Sequence, residues 1–283
     1  MDNLELMKQL PKGKIDLIYI DPPFGIKTDE KFGMIPWNKN NQNKNEVDII
    51  FPTLEKILTK GECNYLRWIY PRLVLMKELL SEKGSIYVHT DWHAGSYVRI
   101  ILDNIFGKDR LINEIIWSYQ GTGTPAKGFK HKHDTIYFYS KSDNLIFNEV
   151  AAGEQFGKKQ KVKYTNFDKH KQQYYKEYRH PDGQVYRQYW NDNKFMRLRD
   201  VWEISTIQSW NEKLDYPTQK PEALLERIIK ISSNENSVVA DFFAGSGTTC
   251  AVAKKLNRYY IGCDINKKAI DITKKRLNDE IHS

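Results

Sequence analysis

A chain of 283 residues is long enough for one large α/β domain, or two small ones, around a buried core. With 40% apolar and 28% charged residues, no uninterrupted apolar run of membrane-spanning length and no basic-then-apolar leader at Met1-Asp2-Asn3-Leu4, it reads as a globular chain of a reducing compartment, the cytoplasm. Its formal charge of +8 suits a polyanionic partner, and three scattered cysteines, Cys63, Cys250 and Cys263, exclude a disulfide framework or a cysteine zinc site.

Asp16 to Ile20 is a short apolar run between Gly13 and the turn Asp21-Pro22-Pro23, which predicts a buried parallel strand. The Asn- and Lys-rich stretch from Asn38 to Asn45 reads as a mobile loop. Leu66, Ile69, Leu73, Met76 and Leu80 then form one helical stripe, kinked or started by Pro71 and ended by Gly84. A strand from Ser85 to Val88 follows, then a helix carrying Val98, Ile101, Leu102 and Ile105 that stops at Gly107, then strands at Ile112–Tyr119 and Thr135–Ser140.

From about Asn144 to Asp215 the alternation breaks, and the pattern predicts an irregular β-rich insertion or small domain. Lys158, Lys159, Lys161, Lys163, Lys169, Lys171, Lys176 and Arg179 face only Asp168 and Glu177 within their span. Aromatics from Phe156 to Trp190 are interleaved with them. Such cations neutralise phosphates, while the aromatics stack on bases or fill a small β core. Pro221 is expected at the first position of a helix bearing Leu224, Leu225, Ile228 and Ile231. Val238–Asp241 reads as a strand, Gly245-Ser246-Gly247 as a tight turn, Thr248–Leu256 as a helix, Tyr259–Cys263 as a strand and Lys267–Leu277 as the closing helix.

Three segments carry chemistry. Asp21-Pro22-Pro23-Phe24 sits at the carboxyl end of a strand, where ligands of α/β sheets bind. An exocyclic aromatic amine is a poor nucleophile because its lone pair is delocalised into the ring. A carboxylate and a carbonyl that both accept from the NH2 localise that pair on nitrogen, and two prolines stiffen the turn. Asp241-Phe242-Phe243-Ala244-Gly245-Ser246-Gly247-Thr248-Thr249 is a strand, glycine turn and helix start of the kind that cradles ligands. Asp264, at the end of the next strand, serves equally as an acceptor for ribose hydroxyls or as a helix N-cap. Tyr216-Pro217-Thr218-Gln219-Lys220-Pro221 reads either as a capped helix start with a solvated lysine or as a place for a ligand carboxylate.

In this order, and with Gly84–Asp91 and Asn113–Trp117 between them, these segments resemble the β-class amino-methyltransferases of DNA. The likeness is to the adenine enzymes of bacterial restriction–modification systems, including type III methylating subunits. Asp rather than Ser before Pro-Pro favours adenine N6 over cytosine N4. The resemblance implies a doubly wound, mainly parallel, seven-stranded S-adenosylmethionine-dependent methyltransferase sheet, with the strands ending at Asp21 and Asp241 as neighbours. Residues 1–120 would form the catalytic half, 121–215 the last sheet strand and the target-recognition insertion, and 216–283 the cofactor-binding half. S-adenosylmethionine would lie over Asp241, Phe243, Gly245, Ser246, Gly247, Thr248 and Thr249, within reach of Asp21. Asp264 would hold the ribose, Thr218, Gln219 and Lys220 the methionine end, and Asp2 the adenine.

The target base would be flipped out of duplex DNA onto Phe24, with Asp21 and the Pro22 carbonyl accepting the amine hydrogens and Pro23 stiffening the turn. The loop Ile26–Asn64 would close over it, with Trp37 as a wedge. Lys158, Lys159, Lys161, Lys163, Lys169, Lys171 and Arg179 would bind the DNA. No metal is implied, since His89, His93, His131 and His133 lack a ligand set, and His131-Lys132-His133 reads as surface or strand-end structure. A cognate endonuclease subunit, a homodimer and a place at the bacterial nucleoid, with no membrane, complete the expectation. The rivals are a cytosine-N4 or RNA methyltransferase, an inactive DNA-specificity subunit, and a nicotinamide-dependent dehydrogenase. In the family a strand precedes the position of Asp2, where only Met1 stands here. Either the natural start lies upstream or the sheet has one strand fewer, and the expectation is an adenine pocket open on that side with Asp2 poorly held.

Overall fold

The computed structural model describes residues 2–23, 51–119, 127–151, 153–155, 164–190, 195–207 and 212–279. Phe24, Trp37, the Asn38–Asn45 stretch, Phe156, Lys158, Lys159, Lys161 and Lys163 lie outside them. The chain divides into two compact units, one of residues 1–147 and 200–283, the other of residues 148–199.

The larger unit is built on a seven-stranded sheet. Its strands are β1 (Ile15–Ile20), β2 (Leu80–Thr90), β3 (Leu111–Ser118), β4 (His133–Ser140), β10 (Val201–Glu203), β11 (Val238–Asp241) and β12 (Tyr259–Gly262). They lie in the order β10-β3-β4-β2-β1-β11-β12, and only β4 runs antiparallel to its neighbours. β1 is buried on both faces because helices cover both. On one side α1 (Asn3–Gln9), α2 (Lys60–Leu79) and α3 (Gly95–Phe106) share a core with Ile18, Ile20, Ile86 and Val88. On the other, α4 (Glu222–Ser232), α5 (Thr248–Lys255) and α6 (Lys267–Asp279) complete the double winding. There Tyr87 of β2 stacks on Phe138 and bonds the Ser232 hydroxyl at the end of α4.

Several boundaries differ from the sequence reading. Helix α2 starts at a Thr59/Glu62 capping box and runs through Pro71. The buried stripe Leu66, Ile69, Leu73 and Met76 holds it together past the missing N–H. It ends at Leu79, and Gly84 lies inside β2. A β-carbon on Gly84 would sit 2.8 Å from the Ile15 carbonyl, so glycine serves close strand approach rather than helix termination. Phe51 and Leu54 are buried in the core, so the segment expected to close over the base is a loop neither there nor where α2 begins. Pro221 is the N-cap of α4 rather than its first helical residue. Val201–Glu203, assigned to the insertion by composition, pairs in parallel with β3; Trp202 is buried and the Trp117 indole donates to the Ile204 carbonyl at 2.8 Å.

The smaller unit holds a short antiparallel pair, β5 (Gly153–Gln155) with β9 (Phe195–Arg197), and the meander β6 (Asn166–Asp168), β7 (Gln173–Arg179) and β8 (Val185–Tyr189). Tyr164 and Trp190 are its buried aromatics among the described residues, with ring centroids 5.2 Å apart.

Candidate active site

Because β1 and β11 are parallel neighbours, with Leu17 opposite Val239 and Ile18 opposite Ala240, their carboxyl ends emerge side by side. Asp21-Pro22-Pro23 leaves one and Asp241 closes the other. Between them opens a cavity of about 670 Å³, lined by both turns and by Tyr216, Thr218 and Lys220 from the segment before α4. That is the size and position of a ligand cleft in a doubly wound sheet.

Asp21 is the polar centre of one wall. Its Oδ2 is ion-paired with the Lys220 ammonium. Its Oδ1 is buried and accepts no hydrogen bond from the described residues, an acceptor left for something that enters the cavity. The pairing rules out the reading of Lys220 as a freely solvated lysine: its ammonium is paired with Asp21 at the edge of the cavity it lines, and its carbonyl accepts from the Thr248 hydroxyl at 3.1 Å.

Asp241 and the glycine turn make the opposite wall. Asp241 is buried; one oxygen accepts from the Phe243 N–H at 2.9 Å and the other from the Thr249 hydroxyl at 2.6 Å. Burial, reinforced by the nearby charges of Asp21 and Asp264, pushes its carboxyl up to about 7. Gly245 and Gly247 have φ of +52° and +74°, and a β-carbon on Gly247 would lie 2.5 Å from the Thr273 methyl of α6. Asp264 Oδ2 accepts from the Gly245 N–H at 2.9 Å, and Oδ1 from the Asn266 N–H at 2.8 Å. Asn266, not Asp264, accepts from the Lys268 N–H of α6, so the capping alternative for Asp264 falls away.

The remaining expected residues divide. Thr218, Phe243, Ser246, Thr248 and Thr249 line the cavity. Gln219 does not: its amide accepts from the Leu214 N–H and donates to the Glu212 carbonyl, fastening its own loop. Asp2, expected to be loose, is held. It caps α1 by accepting from the Leu4 N–H at 2.7 Å and pairs with Arg72 at 3.1 Å. Arg72 is buried, bonds Asn3 and the Trp68 carbonyl, and stacks over the Trp68 ring. Asn3 in turn donates to the Phe242 carbonyl at 2.9 Å, tying the start of the chain to the glycine strand. An arginine on the apolar face of a helix was the available signal for this anchor, and composition does not weigh it.

A second group was missed. Tyr19 Oη and His89 Nδ1 are 2.8 Å apart, His89 Nε2 and Asp134 Oδ2 3.1 Å, and the Tyr119 hydroxyl donates to Asp134 Oδ1 at 3.2 Å. The signal was a histidine directly after the apolar run Ile86-Tyr87-Val88 of a buried strand, a place where it must be hydrogen-bonded. No group of metal-ligating side chains occurs among the described residues. In the smaller unit Lys169, Lys171 and Arg179 are exposed, and the Lys171 ammonium lies over the Tyr189 ring at 4.2 Å.

A twisted sheet of six parallel-running strands and one reversed, with a carboxylate turn and a glycine turn facing each other across its carboxyl edge, defines an α/β methyltransferase. Residues 15–275 match the model of the DNA methylase family, and the chain belongs to that family, whose methyl donor is S-adenosylmethionine. The chain is 31% identical, over 99% of its length and 73% of the relative's, to the type II methyltransferase M.HpaI of Haemophilus parainfluenzae. Among solved structures it resembles the cytosine-N4-specific PvuII DNA methyltransferase, with a TM-score of 0.65 and 16% identity over 98% of this chain and 84% of that one. It also resembles M1.HpyAVI in complex with S-adenosylmethionine, with a TM-score of 0.53 and 21% identity over 98% and 97%.

Proposed function

We propose that the chain methylates N6 of adenine in duplex DNA at a specific sequence, the target base being flipped out of the helix. The observation that carries this reading is the buried Oδ1 of Asp21, without a hydrogen-bond donor among the described residues and at the edge of the cavity that Pro22 also lines; with the Pro22 carbonyl it would supply two acceptors for the two hydrogens of an exocyclic amine. Accepting both hydrogens localises the lone pair on nitrogen for in-line attack. S-adenosylmethionine supplies an already activated methyl, so the protein's task is position and electrostatics. Lys220 holds Oδ2 and so presents Oδ1 to the amine. The glycine turn with Asp241 and Phe243, the Asp264 carboxylate, Thr218 and Asp2 form the cofactor's wall, and the donors on Gly245 and Thr249 already fix the two carboxylates in place. Phe24 stacks on the flipped base. A carboxylate rather than a hydroxyl at the first position of the turn supports adenine over cytosine.

The basic, aromatic unit of residues 148–199, with Lys169, Lys171 and Arg179, engages the DNA and reads its sequence. A cognate restriction endonuclease is the counterpart such a mark implies. The test is transfer of tritiated methyl from S-adenosylmethionine to duplex DNA, followed by nucleoside analysis. N6-methyladenine is expected, and N4-methylcytosine overturns the base assignment. Asp21→Ala should abolish transfer while leaving cofactor and DNA binding in place; residual turnover above a few per cent of wild type overturns the role of Asp21.

A further inference from the structure

Methylation of an exocyclic amine leaves a proton to dispose of. As the N–C bond forms and the C–S bond breaks, the nitrogen carries the methyl, two hydrogens and a positive charge. One hydrogen must leave for the neutral product to form. The nearest acceptor is Asp21 Oδ1, which becomes protonated, and the site then has to return that carboxyl to its ionised form.

The groups around Asp21 differ sharply in their ability to take the proton onward. Lys220 is a cation on Oδ2. Tyr19 is a neutral phenol whose acidity is suppressed by burial and by the charges of Asp21, Asp241 and Asp134. Asp241 is occupied by the Phe243 N–H and the Thr249 hydroxyl. His89 is the exception. Its Nδ1 lies 4.0 Å from Asp21 Oδ1, and its side chain is fully buried. On its far side Nε2 faces Asp134 at 3.1 Å, so with the proton on Nε2 the Nδ1 lone pair points toward Tyr19 and Asp21. Burial works to raise the Asp134 carboxyl, but the hydrogen bond to His89, the charge His89 carries when protonated, the charge of Lys220 and the Tyr119 hydroxyl together hold it below the usual carboxylate range. Asp91, the other carboxylate at this end of β2, is paired with His93, and Trp117 of β3 meets His89 edge-on.

We infer that His89, backed by Asp134, takes the product proton from Asp21 and so resets the catalytic carboxylate between turnovers. The inference rests on Asp21 as the acceptor of the amine hydrogens and extends the proposed mechanism by one step. The Tyr19 hydroxyl turns from Nδ1, the Asp21 O–H bond breaks and an Nδ1–H bond forms. The resulting imidazolium pairs with the Asp134 carboxylate, as the histidine–carboxylate pairs of other active sites do. When the product has left, the Nδ1–H bond breaks toward Tyr19 Oη, 2.8 Å away, as the Tyr19 hydroxyl proton passes to water in the cavity that Tyr19 lines, so Nε2 keeps its hydrogen facing Asp134 and His89 returns to its starting tautomer.

The experiment separates the first turnover from the later ones. Methyl transfer to DNA by wild type, His89→Gln and Asp134→Asn is followed by rapid quench with enzyme in excess, and then in steady state, from about pH 6 to pH 9. The expected result for His89→Gln is a first-turnover rate within about threefold of wild type and a steady-state rate at least about tenfold lower near neutrality, recovering as pH rises and hydroxide strips Asp21. Asp134→Asn keeps the side-chain shape but not the charge, and should show a smaller loss with the same recovery. If first-turnover and steady-state rates fall together at every pH, or neither falls, the inference is overturned. Should His89→Gln not fold, Asp134→Asn alone decides by the same criterion. Because either base releases one proton, a finding of N4-methylcytosine leaves this test intact, and the Asp21→Ala experiment tests the underlying reading separately.

Discussion

Gly247 is a position at which a single methyl group should do heavy damage to the glycine-turn wall of the cavity. At φ +74° a side chain costs about 1–2 kcal/mol on conformational grounds. A β-carbon there would also meet the Thr273 side chain at 2.5 Å to Cγ2, 2.7 Å to Oγ1 and 2.9 Å to Cβ. Carbon contacts settle near 3.5–4 Å, so α6 and the turn would have to separate by about 1 Å, and overpacking of this kind costs about 1–3 kcal/mol. Gly247→Ala should therefore lose about 2–5 kcal/mol of stability. The strained turn includes Gly245 and Ser246 of the cavity wall, so affinity for S-adenosylmethionine should fall roughly 10–100-fold.

Thr273→Ala alone forfeits a methyl group and the hydrogen bond to the Gly245 carbonyl, about 2 kcal/mol. In the double variant the two shortest clashes are gone and only the 2.9 Å approach remains. The two costs should then be sub-additive by about 1–2 kcal/mol. Urea unfolding of the four proteins measures the cycle, and calorimetric titration measures the affinity. Costs that add to within about 0.5 kcal/mol would refute the clash as the reason glycine stands at 247.

Asp241 sets a pH dependence of opposite sign to that of an ordinary paired carboxylate. Its folded-state value is about 7 against an ordinary 3.8, so between those values the folded protein keeps a proton that the unfolded chain has released. Stability from this group therefore falls as pH rises, by about 1.4 kcal/mol per pH unit in that window, and is flat above it. In urea unfolding the stability difference between wild type and Asp241→Asn should shift by roughly 2–3 kcal/mol between about pH 5 and pH 8; a constant difference would mean that Asp241 is ionised throughout. Replacing Lys169, Lys171 and Arg179 by Gln should reduce the slope of log affinity for duplex DNA against log salt by roughly 2–3, measured by fluorescence anisotropy; an unchanged slope would move the phosphate contacts elsewhere.

What could be read along the chain was what repeats at short range. The period of α2 and α3, the apolar run of β1, and the carboxylate and glycine turns at strand ends are local patterns, and the structure keeps all of them. Side chains whose partners lie far off in sequence were not legible. Lys220 looks like a solvated lysine until β1 and the segment before α4 are brought together around Asp21. Arg72 and Asp2 look unrelated until α2 packs on α1. Gly84 resembles a helix stop because nothing nearby announces the Ile15 carbonyl beneath it. Composition misplaced β10, since a three-residue strand between polar segments has too few residues to show its own alternation, although the buried Trp202 was a cue.

The pairing of β1 with β11 joins Asp16 to Val238 across 222 residues, through a bond from the Val238 N–H to the Asp16 carboxylate. During synthesis at ordinary rates, roughly 10–40 s separate the emergence of these two strands. For that time β1, with Leu17 and Ile18, has an apolar edge open toward the place β11 will fill, a template for wrong pairing. Such a long-range closure is also a slow step in folding. The two walls of the cavity therefore come into existence together and late, so a ribosome-bound or truncated chain lacking Val238–Asp241 has a complete Asp21-Pro22-Pro23 turn facing no second wall.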